Sequence, residues 1–196
     1  MQPFDDFFNF TDQFVQFSNK DKEIIERKLV IRDVPKKHTL VNLDQVATEV
    51  YFVVKGCLRF YYITEDGRDI TGFVFVEHMF AGSHESFFSQ LPSSQVLETI
   101  EHCELLVLSY SSLHELYEEV PLFNVLVRKV LEMRMSHAQK VIASLIINKP
   151  EDRYTSYTDL HPGIEQRIPQ HILSSFMGIT PVSLSRIRAR QAKKSE

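Results

Sequence analysis

Residues 122–149 contain neither glycine nor proline, and Pro121 and Pro150 bracket them. Pro121 suits the first turn of a helix, and Pro150 ends one. Leu122, Leu126, Val130, Met133, His137, Val141 and Leu145 follow one helical row. Phe123, Val127, Leu131, Met135, Ala138, Ile142 and Ile146 follow a second. At 1.5 Å per residue this helix is roughly 40 Å long. One apolar stripe can lie on the body of its own subunit. The second needs another cover: a partner helix in a two-fold dimer is the simplest, and a C-terminal piece folded back over it is the other.

The texture before that helix is different. Phe7, Phe10, Phe14 and Phe17 share one helical face in Phe4–Lys28; Asn19-Lys20 is read as a break there, and Asp21 as the cap of a second short helix. From about Leu29 to Ser109 the period falls to two, in short runs such as Tyr51–Val54, Leu58–Tyr62, Gly72–Val76 and Leu105–Leu108. Glu65-Asp66-Gly67 is a hairpin signal, and Lys55-Gly56 and Pro92–Ser94 are further turns. Many short, evenly spaced strands predict a sandwich or barrel of jelly-roll type. Ser111 or Ser112 is expected to cap a short helix through Leu113 and Tyr117.

Several chemistries are excluded by residue type. Cys57 and Cys103 are the only cysteines, so cysteine-rich zinc and iron–sulfur sites are ruled out, and both read as buried thiols. A metal enzyme on a jelly roll needs clustered histidines, yet His38, His78, His84 and His102 form no His-x-His pair. No Gly-x-Ser-x-Gly elbow or glycine-rich phosphate loop occurs. The expectation is a protein that is not an enzyme and takes no metal. No apolar run approaches a membrane span, and Met1–Phe10 lacks the basic and apolar regions of a secretory signal, so the cytoplasm is the expected compartment, with no membrane partner.

The net charge of −4 hides an asymmetry. From Ile164 onward six basic residues, including Lys193 and Lys194, stand against Glu165 and Glu196. A basic end on an acidic body suggests that this end meets an anion, although a solubilising tail has the same composition. In this segment Pro169 suits a first turn, Gly178 a left-handed helix stop, Thr180 an N-cap and Pro181 the next first turn. Leu184 and Ile187 are expected inside; Val182, Ser183, Ser185, Arg186, Arg188 and Arg190 are expected outside. Two short helices around a glycine turn make a helix-turn-helix, whose second helix can present N–H groups to phosphate and arginines to bases. An ordinary helical hairpin with a basic surface fits the same pattern.

The string IPQHILSSFMGITPVSLSRIR at 168–188, EDRY at 151–154 and EHCELLVLS at 101–109 resemble the CRP/FNR superfamily of transcription regulators, in the form common in Bacteroidetes. The resemblance implies an α+β chain: N-terminal helices, a double-stranded β-helix (jelly-roll) sensor domain, a long dimerisation helix and a C-terminal helix-turn-helix. The implied boundaries are 1–120, 121–149 and 150–196. It implies a homodimer on a palindromic operator in double-stranded DNA. The residues it assigns to DNA are Gln170, Thr180, Pro181, Val182, Ser183, Ser185, Arg186, Arg188 and Arg190. RNA polymerase and a small-molecule effector are the further partners it allows.

Two departures from the family pattern stand out. Nucleotide-binding members use a Glu for the ribose and an Arg for the cyclic phosphate. Ser83 stands at the Glu position and Ser93 at the Arg position, and no arginine lies between Asp69 and Glu119. A buried phosphate without a charge partner is poorly stabilised, which speaks against cyclic AMP and leaves the effector unidentified. The effector pocket is expected at Gly82, Ser83, His84, Glu85, Ser86, Ser93 and Ser94, with a polar character suited to an uncharged polar or cationic ligand. No counterpart of the family's β-wing is expected after Arg188, and Lys193 and Lys194 are expected to supply part of its phosphate grip. The competing reading is a ligand-sensing or protein-binding β-roll whose helix-turn-helix is vestigial.

Overall fold

The computed structural model describes residues 2–192. The chain opens with helices α1 (Gln2–Thr11) and α2 (Asn19–Lys28). Helix α1 ends six residues before the phenylalanine periodicity does: Phe14 and Phe17 lie in the connecting segment. Asn19 begins a helix rather than breaking one. Ser18 is the cap, its Oγ accepting from the Asp21 N–H while the Asp21 carboxylate accepts from the Ser18 N–H, a reciprocal capping box. Phe7 packs edge-on against Phe52 at 5.3 Å, and Phe17 stacks on Phe123 at 6.4 Å. The N-terminal phenylalanines thus seal the outer face of the β-body.

That body has eight strands: β1 (Leu29–Val34), β2 (Thr39–Val41), β3 (Glu49–Lys55), β4 (Leu58–Ile63), β5 (Asp69–Phe75), β6 (Phe80–Ala81), β7 (Val96–Thr99) and β8 (Cys103–Ser109). They form two antiparallel four-stranded sheets, ordered β1-β8-β3-β6 and β2-β7-β4-β5. Residues 50–54 of β3 are all buried because the second sheet covers one face of the strand and α1 the other. Helix α3 (His84–Ser89) joins β6 to β7. The hairpin between β4 and β5 closes through the Thr64 N–H to the Arg68 carbonyl at 2.9 Å, with Gly67 left-handed at φ 78°.

Helix α4 (Tyr110–Glu119) is capped by Ser109, two or three residues earlier than Ser111 or Ser112, since the strand runs straight into the cap. Helix α5 (Pro121–Ile147) follows with Pro121 at its start. The two stripes divide by position along the helix as much as by face. Phe123, Leu126 and Val130, drawn from both rows, are buried on the roll. Leu131, Met135, Ile142 and Leu145 are exposed, and with Ala138 they repeat at spacings of 4, 3, 4 and 3.

The C-terminal part contains α6 (Pro150–Leu160), α7 (Ile164–Arg167), α8 (Gln170–Phe176) and α9 (Pro181–Ala192). Its core is not separate from the roll. Cys57, Val74, Val76 and Ile100 of the roll share one apolar cluster with Tyr154, Ile168, Leu173, Met177, Leu184 and Ile187. No helix among the described residues is long and apolar enough to cross a membrane.

Candidate nucleic-acid interface and sensor site

Helix α8 starts after Pro169, which takes the N-cap position, and its chain reverses at Gly178 with φ 66°. Thr180 Oγ1 accepts from the Ser183 N–H at 3.1 Å and so caps α9, with Pro181 at its first position. Leu173 and Leu184 are fully buried between the two helices. Gln170 ties them together on the outside: its amide donates to the Pro181 carbonyl at 2.8 Å and to Ser185 Oγ at 2.6 Å. Helix α8 packs on β5, where Ser175 Oγ accepts from the Thr71 N–H at 2.9 Å and Phe176 meets Phe73 edge-on at 6.0 Å.

The arginines of α9 have different roles in the structure. Arg186 is exposed, and it makes no ion pair or hydrogen bond among the described residues. Arg188 is half-buried; its guanidinium donates to Tyr154 Oη at 3.1 Å and lies over the Tyr154 ring, so it braces α9 against α6 rather than facing outward as expected. Arg190 is exposed and pairs with Glu151 at 3.1 Å. Thr180, Pro181, Val182 and Ser185 share the exposed start of α9 with Arg186, and Ser183 is half-buried. Lys193 and Lys194 lie outside the described residues.

Arg167 counts in the sequence only toward the basic charge of the C-terminal segment, and its ion pairs are not legible there. Its guanidinium donates to both carboxylate oxygens of Glu77, at 3.0 and 2.7 Å, and to Glu101 at 2.5 and 3.1 Å. Glu77 also accepts from the Gly56 N–H at 2.9 Å. Bonding to Glu77 and Glu101 holds the Arg167 guanidinium above its usual range. Burial pulls the Glu77 carboxyl upward, but Arg167 and the Gly56 N–H outweigh it and the net shift is downward. A second unanticipated cation, Arg59 on β4, is buried among Glu98, Asp69 and Thr71 and lies 4.2 Å from the Tyr61 ring.

The seven residues expected to form the effector pocket are divided by the fold. Ser83 and Ser93 are buried and hydrogen-bonded to each other, Oγ to Oγ at 2.7 Å. Ser93 Oγ also engages the Gln95 carbonyl at 2.7 Å, and buried Ser86 donates to the Leu91 carbonyl. Gly82 is buried against Val50. Glu85 and Ser94 face solvent. His84 turns toward α5; burial, reinforced by the Arg134 charge, pushes its imidazole down to about 3. Among the described residues no group of three or more His, Cys, Asp or Glu side chains is placed to hold a metal ion.

A cavity lies between the β4–β5 hairpin and α5, and none of these seven residues lines it. A space of about 580 Å³ is walled by Phe60, Tyr62, Gly72 and Phe73 of the β4–β5 sheet, by His78–Phe80, and by α5 from Val130 to Leu145. Gly72 is required there, because a Cβ would lie 2.1 Å from the Phe60 ring. His137 and Arg134 line it from α5, and burial holds the His137 imidazole below its usual range. A smaller cavity of about 240 Å³ shares His137, Val141 and Leu145 and reaches Tyr157 and Phe176 of the C-terminal part.

The chain thus combines a double-layered β-roll, a long helix and a helix-turn-helix. Residues 31–120 match the cyclic nucleotide-binding domain family. The chain is similar in structure to the c-di-GMP-responsive global regulator CLP of Xanthomonas campestris (TM-score 0.69, 18% identity, covering 91% of this chain and 93% of that one). It is also similar to FixK2 of Bradyrhizobium japonicum (TM-score 0.70, 18% identity, 85% and 86% covered). A third likeness is to the catabolite activator protein of Thermus thermophilus (TM-score 0.56, 18% identity, 91% and 85% covered). No curated protein sequence matches the chain. The likeness in fold to these structures covers the β-roll and the C-terminal helices together.

Proposed function

We propose that the chain is a DNA-binding transcription regulator that acts as a homodimer. The observation that carries this reading is the free face of α9: an exposed N-terminus capped by Thr180, with Val182 and Ser185 beside an arginine, Arg186, unpaired among the described residues. Small side chains at a helix start permit close approach to a major groove, and an unpaired guanidinium can bond guanine bidentately or grip phosphate. Gln170 and Arg188 act one step back, fixing α9 against α8 and α6.

The exposed 4-3-4-3 seam of α5 supports the dimer, since that is the repeat by which two helices interlock. Two copies of α9 then reach successive grooves about 34 Å apart and read a near-palindrome. The buried Ser83–Ser93 bond supports the view that cyclic AMP is not the effector: the two positions that would hold a ribose and a phosphate bond each other instead. RNA polymerase is a partner only in so far as the regulator reading holds.

Selection of duplexes from a random pool tests the reading, with Arg186→Ala as the control. Enrichment of a two-fold-symmetric site, lost in the variant and weakened by salt, is the expected result. No enrichment from folded, dimeric protein would favour the vestigial helix-turn-helix.

A further inference from the structure

We propose that Gln170, a side chain of α8, holds the Ser185 hydroxyl of α9 as a hydrogen-bond donor, so that Ser185 reads acceptor edges in the major groove and one position of each half-site rejects cytosine. The inference deepens the regulator reading and rests on it.

The Gln170 amide presents its nitrogen to α9. One atom of that amide lies 2.8 Å from the Pro181 carbonyl oxygen and 2.6 Å from Ser185 Oγ. A carbonyl oxygen only accepts, so this atom is Nε2, and one of its two N–H groups goes to Pro181. The second N–H goes to Ser185. Ser185 Oγ is therefore the acceptor in this contact, and its own proton points elsewhere.

Nothing within the fold takes that proton. A serine inside a helix often donates back to the carbonyl four residues earlier, which for Ser185 is Pro181. That oxygen has two lone pairs. The ladder of α9 directs the Ser185 N–H to one of them, and Gln170 occupies the other. The Ser185 hydroxyl makes no further bond among the described residues. Ser185 is exposed and adjoins Arg186, so the hydroxyl leaves the reading face as a donor.

A freely rotating serine hydroxyl bonds donors and acceptors alike and carries little base information. A hydroxyl held as a donor discriminates. In the major groove guanine offers N7 and O6, adenine N7 and thymine O4, all acceptors, whereas cytosine offers only its N4 amine. A cytosine facing Ser185 sets donor against donor. Gln170 is thus a positioning residue: it acts on base choice through Ser185 and has no need to touch the base itself.

The test is duplex selection from a random pool by the full-length protein and by variants at these two exposed positions, with thermal melting as the check on folding. Ser185→Ala locates the position, because its base profile is expected to flatten there and nowhere else. At that position the wild-type protein is expected to disfavour cytosine by roughly fivefold or more, and Gln170→Ala, which frees the hydroxyl to accept from N4, is expected to reduce this to below about twofold. Gln170→Lys, whose ammonium only donates, is expected to keep the cytosine penalty whatever its overall affinity. An even loss of affinity over all duplexes in Gln170→Ala, with the profile unchanged, would show that Gln170 only ties the two helices together. An even loss in Ser185→Ala would place the hydroxyl on phosphate. Either result overturns the inference and leaves the regulator reading standing. Absence of any enriched duplex from folded, dimeric protein removes both.

Discussion

Replacing Arg167 by glutamine should loosen the helix-turn-helix from the β-roll. The cation sits between Glu77 and Glu101, with side-chain exposures of 33%, 31% and 29% respectively. Hydrogen bonds to charged groups are worth about 1.5–3 kcal/mol when well buried, whereas exposed ion pairs fall to about 0.2–1 kcal/mol. At one-third exposure, screening places the Arg167–Glu77 coupling near 1 kcal/mol. Leaving two partly buried carboxylates without their cation adds to this, for a total loss of about 2 kcal/mol. For a chain of this size that corresponds to a melting point lower by roughly 4–8 °C. The pH dependence gives an independent check. Glu77 titrates below its ordinary value of 4.5, so its contribution is present above that value and is lost as pH falls through the folded one. The gap between wild type and variant should be full at neutral pH and should narrow below about pH 4.5. Urea unfolding of wild type, Arg167→Gln, Glu77→Gln and the double variant, at pH 7 and near pH 4, measures both effects. A coupling under about 0.3 kcal/mol, or a gap of the same size at both pH values, would refute the clamp.

Two further outcomes concern the roll. Gly56 has φ 113°, and a Cβ there would lie 2.6 Å from Cys103 Sγ and 2.8 Å from the His102 carbonyl. Gly56→Ala should therefore cost roughly 2–4 kcal/mol in urea unfolding; a loss below about 1 kcal/mol would show that the turn relaxes freely. His84 is half-buried, and desolvation pushes its imidazole down to about 3 from an ordinary 6.5, so its contribution is present above pH 6.5 and declines below it, by up to about 1.4 kcal/mol per pH unit. His84→Gln should flatten stability between pH 6.5 and 4.5; an unchanged acid slope would show that another group is responsible.

How much was legible depends on the range of the interaction. Gly178, Thr180 and Pro181 work within one turn of chain, and the helix boundaries they predict are those observed. The β4–β5 hairpin and the ends of α5 follow from equally local signals. Helix α1 was overextended because Phe14 and Phe17 fit a helical period by chance while packing from an irregular segment. Ser109 was passed over as a cap because the strand residue before a helix carries the same hydroxyl as the two serines after it. Arg167 was unreadable in principle: Glu101 and Glu77 lie 66 and 90 residues away in sequence. Arg134 leaves no mark in the apolar stripes of α5, because it is a charge set between them. Arg188 was assigned outward on charge, but a Tyr154 hydroxyl held it inward.

The central claim is a two-fold dimer that places both copies of α9 on DNA. Hydroxyl-radical footprinting on a selected duplex tests it most directly. The account predicts two protected half-sites related by a dyad and centred about one helical turn apart, both lost in Arg186→Ala and reduced together by Ile142→Glu on the α5 seam. A single protected half-site, or protection that survives Arg186→Ala unchanged, would contradict it.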